Sequence, residues 1–342
     1  MAELAERLAR YIAHRLPDSA DVRVHSLERI FGGASRETYR FVLVHSDPTG
    51  EVERPLILRR DPPGSLIETE RAIEFNTYRA FYGTPVPVPE PLWLEEDASW
   101  LDHPFFVMEE LKGYEASPQA ITLPPYAEHA ERIAEQKWSI LGEISRADPA
   151  KLGLDRLMES VALDECGERE LAYWESRIDR DEMAPQPILR AAIRWLRRNP
   201  PPPAQKRSVV HGDYRTGNFL YDTGGTIRGI LDWEMAHLGD PLEDLAWGLN
   251  PIWRFARDGR AGGLVPREDA IRIWERASGL RADPEALRWW EVFSCVKGQS
   301  IWLSGAHEFA VGVNQDPILV IAAWLMGNSQ DRAILDALGR MS

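Results

Sequence analysis

The sequence has few cysteines, no long apolar run and no excess of positive charge. Cys166 and Cys295 are the two cysteines among 342 residues, too few and too far apart for a disulfide framework or a cysteine-rich zinc site. This usage is typical of a reducing compartment, and we expect a cytoplasmic protein. The most apolar stretch, residues 318–326, is far shorter than the ~20 residues that cross a bilayer. The sequence therefore predicts no membrane partner.

The charge balance excludes the usual nucleic-acid-binding protein. Lysine and arginine number 40 against 54 for aspartate and glutamate, a formal net charge of −14 at pH 7. Proteins that bind DNA or RNA neutralise phosphates with clustered positive charge. We interpret the negative charge as a contribution to solubility rather than as a binding feature.

Length and pattern predict two domains and an α+β fold, because the chain is longer than one hydrophobic core comfortably supports. The first predicted domain, residues 1–110, has a leading helix over 1–16, short alternating runs typical of a small antiparallel sheet, and one helix over 67–82. The second, residues 111–342, is predicted to be mainly helical. Its predicted helices and short strands are 126–146, 165–179, 188–198, 208–210 and 227–231.

One block of the second domain carries chemistry suited to phosphoryl transfer. In His211-Gly212-Asp213-Tyr214-Arg215-Thr216-Gly217-Asn218, followed by Leu231-Asp232-Trp233-Glu234, Asp213 can accept the proton of an attacking hydroxyl. The side-chain oxygens of Asn218 and Asp232 are hard ligands suited to magnesium. Aspartate and asparagine also favour turns for their own backbone bonding, so each part alone has a structural interpretation. The joint pattern is much more specific.

These two segments, HGDYRTGNFL and ILDWEMAHLGDPLEDLAW, resemble the aminoglycoside phosphotransferase-like family of small-molecule kinases. The resemblance extends from about residue 27 to the final helices. It implies a protein-kinase-like fold with a small antiparallel-sheet N-lobe that binds nucleotide and a larger, mainly helical C-lobe. It also implies Asp213 as catalytic base, His211 in support, Asn218 and Asp232 as magnesium ligands, ATP or GTP as phosphate donor, and a small-molecule hydroxyl as acceptor.

The resemblance also assigns residues to the nucleotide. The turn with Gly32, Gly33 and Ser35 resembles the family's phosphate loop, since small residues let backbone N–H groups approach phosphate. A basic residue is expected on the third strand, where this chain has arginine instead of the commoner lysine. Strand alternation allows only one of the two arginines to face the nucleotide, and we choose Arg59. Its predicted helix partner is Glu74, with Glu70 as the alternative.

Two further segments match the family. Residues 105–113 resemble the hinge that binds adenine. The resemblance implies that Met108 lines the base and that the backbone of Glu109 and Leu111 forms hydrogen bonds with it. The alternative is an edge strand of the sheet that turns into a loop, which would have the same backbone. Asp240 and Asp244 are interpreted as supporting residues. Asp240 suits a helix N-cap before proline, and Asp244 is expected to bond the catalytic loop through Arg215 or through backbone N–H groups.

The acceptor is the least specified part of the site. Trp289, Trp302 and His307 are candidates to line it, although helical spacing favours core packing for most of the tryptophans. The Arg-Arg-x-Pro-Pro-Gly segment resembles kinase domains fused to acyl-CoA dehydrogenases, which implies a hydroxyacyl-CoA or hydroxy acid acceptor. The alternative function is a nucleotide-binding, pseudokinase-like regulator without transferase activity, supported by the arginine in the lysine position. The sequence makes no prediction of oligomeric state.

Overall fold

The computed structural model describes residues 1–30, 37–61, 71–253 and 259–339. The chain divides into two compact units, Met1–Tyr114 and Glu115–Ser342. The sequence placed the domain boundary after residue 110, close to this division. The functions assigned to the two domains remain predictions.

The first unit contains a five-stranded antiparallel sheet with strand order β1-β2-β3-β5-β4. Its helices and strands are α1 (Ala2–Arg15), β1 (Ala20–Ile30), β2 (Glu37–Asp47), β3 (Gly50–Arg60), α2 (Arg71–Phe81), β4 (Pro91–Glu95) and β5 (Phe105–Glu109).

Helix α1 covers one face of this sheet. Leu8, Tyr11 and Ile12 are fully buried, and their spacing places them on one side of the helix. They form one core cluster with alternate residues of β2, β3 and β5, including Leu58 and Val107, which are paired across the strands. The predicted leading helix is thus part of the core of the first unit.

Helix α2 packs on the opposite face. The ring centroids of Phe75 and Phe106 are 5.8 Å apart, and those of Tyr78 and Phe106 are 6.3 Å apart. Arg59 pairs with Phe106 in the β3–β5 register and lies on the α2 face, while the next residue, Arg60, donates to the carbonyl of Leu101. Strand alternation therefore separates the two arginines, as the sequence indicated.

The second unit is mainly helical. Its helices and strands are α3 (Ala130–Arg146), α4 (Cys166–Asp181), α5 (Pro187–Arg198), β6 (Ser208–Val210), β7 (Phe219–Tyr221), β8 (Ile227–Ile230), β9 (His237–Gly239), α6 (Leu242–Leu249), α7 (Arg267–Ser278), α8 (Pro284–Ala310) and α9 (Pro317–Ala337). The helix predicted from residue 126 begins instead at Ala130, after a 3-10 turn.

Two short antiparallel pairs shape the loops of this unit. Strand β6 pairs with β9, and β7 pairs with β8. The sequence indicated β6 and β8 but neither β7 nor β9, each of which is only three residues long. The α+β prediction, an antiparallel sheet followed by a mainly helical region, is confirmed.

No helix in the described ranges combines the length and the apolar character needed to cross a membrane.

Candidate active site

The loop that carries Asp213 runs from β6 to β7 and is folded tightly against the segment before β9. Gly212 has a φ of +84°, in the region that side-chain-bearing residues rarely adopt. A Cβ at this position would lie 2.5 Å from the backbone oxygen of Met235. Both the backbone conformation and the space behind it therefore require glycine immediately before Asp213.

Asp244 of α6 holds the start of this loop. Its Oδ2 accepts the backbone N–H of His211 at 2.5 Å, and its Oδ1 accepts that of Gly212 at 2.9 Å. The carboxylate is buried, and burial raises its pKa. Of the two partners that the sequence allowed for Asp244, the structure shows the backbone N–H groups and not Arg215.

Asp244→Asn is expected to lower the free energy of unfolding by about 2 kcal/mol, because one of the two buried N–H groups would face an amide nitrogen and lose its acceptor. Chemical unfolding followed by circular dichroism measures the loss. Asp155→Asn, at an exposed aspartate of the same unit, is the control and should change little. Equal stability of Asp244→Asn and the wild type would contradict this account of the loop.

The carboxylate of Asp213 is oriented by three side-chain donors. Trp247 Nε1 donates to Oδ1 and Asn218 Nδ2 to Oδ2, each at 2.7 Å. Arg215 Nε lies 3.1 and 3.2 Å from the two oxygens. The side chain of Asp213 keeps 16% of its surface exposed. The group is therefore fixed in direction yet open to a proton donor from outside the protein.

His211 connects the two loops of the site. Its Nδ1 accepts the backbone N–H of Asp213 at 3.1 Å, and its Nε2 lies 2.9 Å from the carbonyl oxygen of Leu231. Because a carbonyl only accepts, the network assigns the neutral tautomer with the proton on Nε2. The ring is fully buried. His211 therefore acts on the backbone around Asp213 and does not face solvent.

The two residues predicted to bind magnesium lie on loops joined by a backbone bond. The N–H of Leu231 donates to the carbonyl of Asn218 at 2.8 Å, and Asp232 follows in the left-handed conformation, with φ 67° and ψ 55°. Since Asn218 Nδ2 bonds both the backbone and the side chain of Asp213, its amide oxygen remains for another partner. Amide and carboxylate oxygens fit a magnesium ion; ligation itself stays a prediction.

Asp240 supports the start of α6. Its Oδ1 accepts the N–H of Leu242 at 2.9 Å, and its Oδ2 accepts Trp290 Nε1 at 3.0 Å. Burial raises the pKa of Asp240 to about 6. The N-cap of α6 is Pro241, one residue later than the sequence indicated. The Asp240 carboxylate binds the first N–H of the helix from the preceding position and ties it to α8.

A buried ion-pair network lies behind the catalytic loop. Lys297 Nζ is 2.9 Å from Glu243 Oε1 and 2.6 Å from the carbonyl oxygen of Gly212. His237 Nε2 is 3.1 Å from Glu243 and 3.5 Å from Glu170. Burial opposes the charged imidazole, but the two carboxylates outweigh it and raise the pKa of His237 to about 9. Burial would raise the pKa of Glu243, whereas Lys297 and His237 lower it to about 2.

Glu170, His237 and Glu243 also have the residue types of a metal site, with ligand atoms within 4.8 Å of one another. Both carboxylates of this cluster already have cationic partners, however. Lys297 pairs with Glu243, and Arg169 lies 3.1 Å from Glu170. Adding a divalent cation would leave an excess of buried positive charge. We therefore interpret the cluster as an ion-pair network.

Sequence reasoning missed Trp247 and Lys297, both of which contact the catalytic loop. Trp247 follows its partner Asp213 by 34 residues, and Lys297 follows its partner Gly212 by 85 residues. Trp247 ends the ILDWEMAHLGDPLEDLAW segment, but no spacing rule links it to Asp213, and Lys297 lies outside both family segments. Their only sequence signal was indirect, since a lysine in an otherwise apolar helix such as α8 must find a buried partner.

In the first unit, Arg59 forms an ion pair with Glu74 of α2. Both side chains are buried, Glu74 completely. The pair brings together the basic residue and the helix partner that the sequence selected. Their contact with nucleotide remains a prediction. The alternative helix partner, Glu70, lies outside the described residues. The same holds for the predicted phosphate loop, with Gly32, Gly33 and Ser35.

The predicted adenine-binding segment lies at the end of β5. Met108 is buried and pairs with Ile57 of β3. Glu109 is the last residue of β5, and its backbone N–H donates to Glu90 at 2.8 Å. Leu111 follows the strand. Strand β5 lies between β3 and β4, so it is an inner strand and not the edge strand of the alternative interpretation. The role in adenine binding stays a prediction.

The three candidate acceptor residues, whose role stays a prediction, are distributed along α8. Trp289 belongs to the core, since it is 2% exposed and its Nε1 donates to Leu196. It is also about 20 Å from Trp302 along the helix axis at 1.5 Å per residue. Trp302 packs against the cluster that contains Trp247. His307 Nδ1 lies 3.5 Å from an Asp181 oxygen, and roles for Trp302 and His307 remain predictions.

A family model described as "Phosphotransferase enzyme family" matches residues 26–290 of this chain. The match confirms the resemblance carried by the HGDYRTGNFL and ILDWEMAHLGDPLEDLAW segments. Acyl-CoA dehydrogenase family member 11 of Rattus norvegicus is 30% identical over 247 residues, which cover 68% of this chain and 31% of that protein. The chain thus spans only a minor part of the length of this relative.

Several solved structures have the same fold. A candidate aminoglycoside phosphotransferase from Ralstonia eutropha has a TM-score of 0.75 at 20% identity, covering 98% of both chains. An aminoglycoside phosphotransferase variant in ternary complex with ADP and hygromycin B has a TM-score of 0.57 at 19% identity, covering 96% of this chain and 98% of that one. The GDP complex of aminoglycoside 2'-phosphotransferase-IIIa has a TM-score of 0.63 at 14% identity, covering 96% and 98%.

Proposed function

This chain belongs to the phosphotransferase enzyme family, and from that membership we propose that it is a kinase transferring the γ-phosphate of ATP to a hydroxyl group of a small molecule. The observation that carries the proposal is the Asp213 carboxylate, held by Trp247, Asn218 and Arg215 and still partly exposed. A carboxylate with fixed direction and an open side suits a general base.

In the proposed reaction, Asp213 accepts the proton of the acceptor hydroxyl. A bond forms between that oxygen and the γ-phosphorus, while the bond from the γ-phosphorus to the β,γ-bridging oxygen breaks and ADP leaves. Arg215 and Trp247 keep the carboxylate directed at the hydroxyl. A magnesium ion held by Asn218 and Asp232 would supply positive charge to the phosphates.

The first unit is proposed to bind the nucleotide. A buried Arg59–Glu74 pair resembles the basic residue and helix glutamate by which kinases hold the α- and β-phosphates. Arginine keeps the positive charge but has a different reach and geometry from lysine. ATP is the proposed phosphate donor. GTP should be tested as well, because one structural neighbour is a GDP complex.

The acceptor is proposed to be a hydroxyacyl-CoA or a related hydroxy acid. Support comes from the relative named as an acyl-CoA dehydrogenase family member and from the Arg-Arg-x-Pro-Pro-Gly segment. The similarity of fold to aminoglycoside phosphotransferases does not fix the acceptor, since one fold serves many substrates.

The test is ADP release with magnesium and ATP, or GDP release with GTP, across hydroxyacyl-CoAs, hydroxy acids, aminoglycosides, macrolides and choline-like alcohols. Release above the rate without acceptor, with a phosphorylated product found by mass spectrometry, is the expected result for at least one class. A hit confined to aminoglycosides would overturn the hydroxyacyl acceptor and keep the kinase. Nucleotide binding by calorimetry without transfer to any acceptor would favour the pseudokinase-like regulator instead.

A further inference from the structure

Lys297 of α8 is a buried charge that touches the catalytic loop. The residue is 1% exposed, and its Nζ donates to the Gly212 carbonyl at 2.6 Å and to Glu243 at 2.9 Å. An ion pair with Glu243 alone would satisfy the charge. The additional bond to Gly212 places the ammonium against the peptide that leads into Asp213.

Both polar groups of Gly212 are therefore held by side chains from outside the loop. Asp244 accepts its N–H at 2.9 Å, and Lys297 donates to its C=O at 2.6 Å. Hydrogen bonds to charged groups are stronger than neutral ones. A glycine with φ of +84° has a soft backbone, and the two bonds oppose rotation of the peptide before Asp213.

The same ammonium also lies against the indole that orients Asp213. Lys297 Nζ is 5.1 Å from the ring centroid of Trp247, within the range of a cation–π interaction. The Nε1 of that indole donates to Asp213 Oδ1 at 2.7 Å. Trp253 also packs edge-on against Trp247, with the ring centroids 5.3 Å apart. The indole that bonds Asp213 is thus in contact with both Lys297 and Trp253.

We propose that Lys297 is a positioning residue that fixes the direction of the Asp213 carboxylate through two routes, the Gly212 carbonyl and the Trp247 ring. It does not touch the reacting atoms. The kinetic part of this inference rests on the proposed kinase function, whereas the structural part does not.

The test compares Lys297→Met with Lys206→Met. Lys206 is the matched control because it also donates to backbone carbonyls, those of residues 145–147 at the end of α3, away from Asp213. In each variant we would measure by NMR the rate at which indole N–H hydrogens exchange with solvent. The resonance of Trp247 is identified as the one that is missing from the spectrum of Trp247→Phe. Trp274 donates to Oγ of Ser145, the residue whose carbonyl Lys206 bonds. It is the reference in Lys297→Met and the affected indole in Lys206→Met.

Lys297→Met should speed the exchange of the Trp247 N–H by roughly tenfold or more relative to Trp274, because its bond to Asp213 opens more often. Lys206→Met should instead speed the exchange of Trp274. A Trp247 exchange rate in Lys297→Met that is unchanged relative to Trp274 would overturn the proposal. If Lys297→Met does not fold, Lys297→Met/Glu243→Gln removes both charges of the pair and is measured in its place.

Kinetics supply the second readout. With the acceptor found in the panel, Lys297→Met should lower kcat by about 10- to 100-fold, as residues that orient a reacting group commonly do, with a smaller change in KM for ATP. Combined with Trp247→Phe, the losses should be less than multiplicative, since both changes loosen the same carboxylate. Equal kcat values for Lys297→Met and Lys206→Met would contradict the positioning role. A wild type without any transferase activity would refute the kinase, and the indole exchange would still decide the role of Lys297.

Discussion

Replacing Asp213 with asparagine is expected to lower kcat for phosphoryl transfer by roughly 10²- to 10⁴-fold, the usual contribution of a general base. Asparagine has a similar size and can still accept the Trp247 N–H, but it takes up no proton. Its amide nitrogen would also face the nitrogen donors of Asn218 and Arg215. The measurement is steady-state ADP release with the acceptor found in the panel, together with the affinity for a non-hydrolysable ATP analogue.

Asp222→Asn is the matched control for this prediction. Asp222 lies in the β7–β8 turn, where its side chain accepts the backbone N–H of Gly224 and of Thr226, so its loss affects a local turn only. We expect nearly wild-type kcat for Asp222→Asn and unchanged nucleotide affinity for both variants. An Asp213→Asn enzyme that turns over at the wild-type rate would exclude Asp213 as the base.

Lys137→Met is expected to stabilise the protein by roughly 3 kcal/mol at pH 6. Lys137 of α3 is fully buried, and its Nζ donates to Thr216 at 3.1 Å and lies 4.6 Å from the Trp138 ring centroid. Among the described residues, no carboxylate pairs with it. Burial, and to a lesser degree Arg215, lowers its pKa to about 7. Methionine has a similar shape and removes the buried charge, at the loss of one hydrogen bond and of the cation–π contact with Trp138.

The pH dependence of this effect has a definite sign. The unfolded lysine, with its pKa of 10.5, holds its proton more tightly than the folded one, so the buried charge destabilises the protein fully below pH 7. The gain from Lys137→Met should therefore shrink between pH 7 and 10.5. Unfolding midpoints in guanidinium chloride at pH 6 and 9 measure it. A Lys137→Met variant less stable than the wild type at pH 6 would show that the bond to Thr216 outweighs burial.

His237→Gln is the control for that measurement, because its stability relative to the wild type should change with pH in the opposite direction. The pKa of His237 is raised from 6.5 to about 9, so its charge stabilises the folded state fully below pH 6.5, and this contribution is lost as the pH rises through 9. His237→Gln should thus be least stable, relative to the wild type, at pH 6 and converge with it above pH 9. Parallel curves for Lys137→Met and His237→Gln would mean that at least one of the two groups does not titrate as stated.

Local patterns predicted the parts of this protein that depend on neighbouring residues in the chain. Alternation along β3 separated Arg59 from Arg60, because successive side chains of a strand point to opposite faces. The spacing from Asp213 to Asn218 fits one loop, so the hydrogen bond between them follows from the motif. Asp232 joins them because β7 and β8 form a hairpin, which returns the chain to the same end of the pair.

The parts that sequence reasoning missed depend on packing between distant elements. The buried ion-pair network combines Glu170 of α4, His237 of β9, Glu243 of α6 and Lys297 of α8. No spacing rule in the sequence links these four residues. The sequence did not single out Trp289 as a core residue, for a related reason. Helix α8 is buried over most of its length, and a helix that is apolar on all sides gives no signal of which side faces the core.

The tight passage of Gly212 behind the catalytic loop affects how an inactive version of this protein should be made. Any side chain at position 212 would meet the Met235 backbone and would have to leave a φ of +84°. A loss of activity in such a variant would report a displaced loop, with no information on proton transfer. Genetic complementation with a catalytically inactive allele therefore calls for a change at Asp213, next in the chain, where the side chain can be altered while the backbone stays in place.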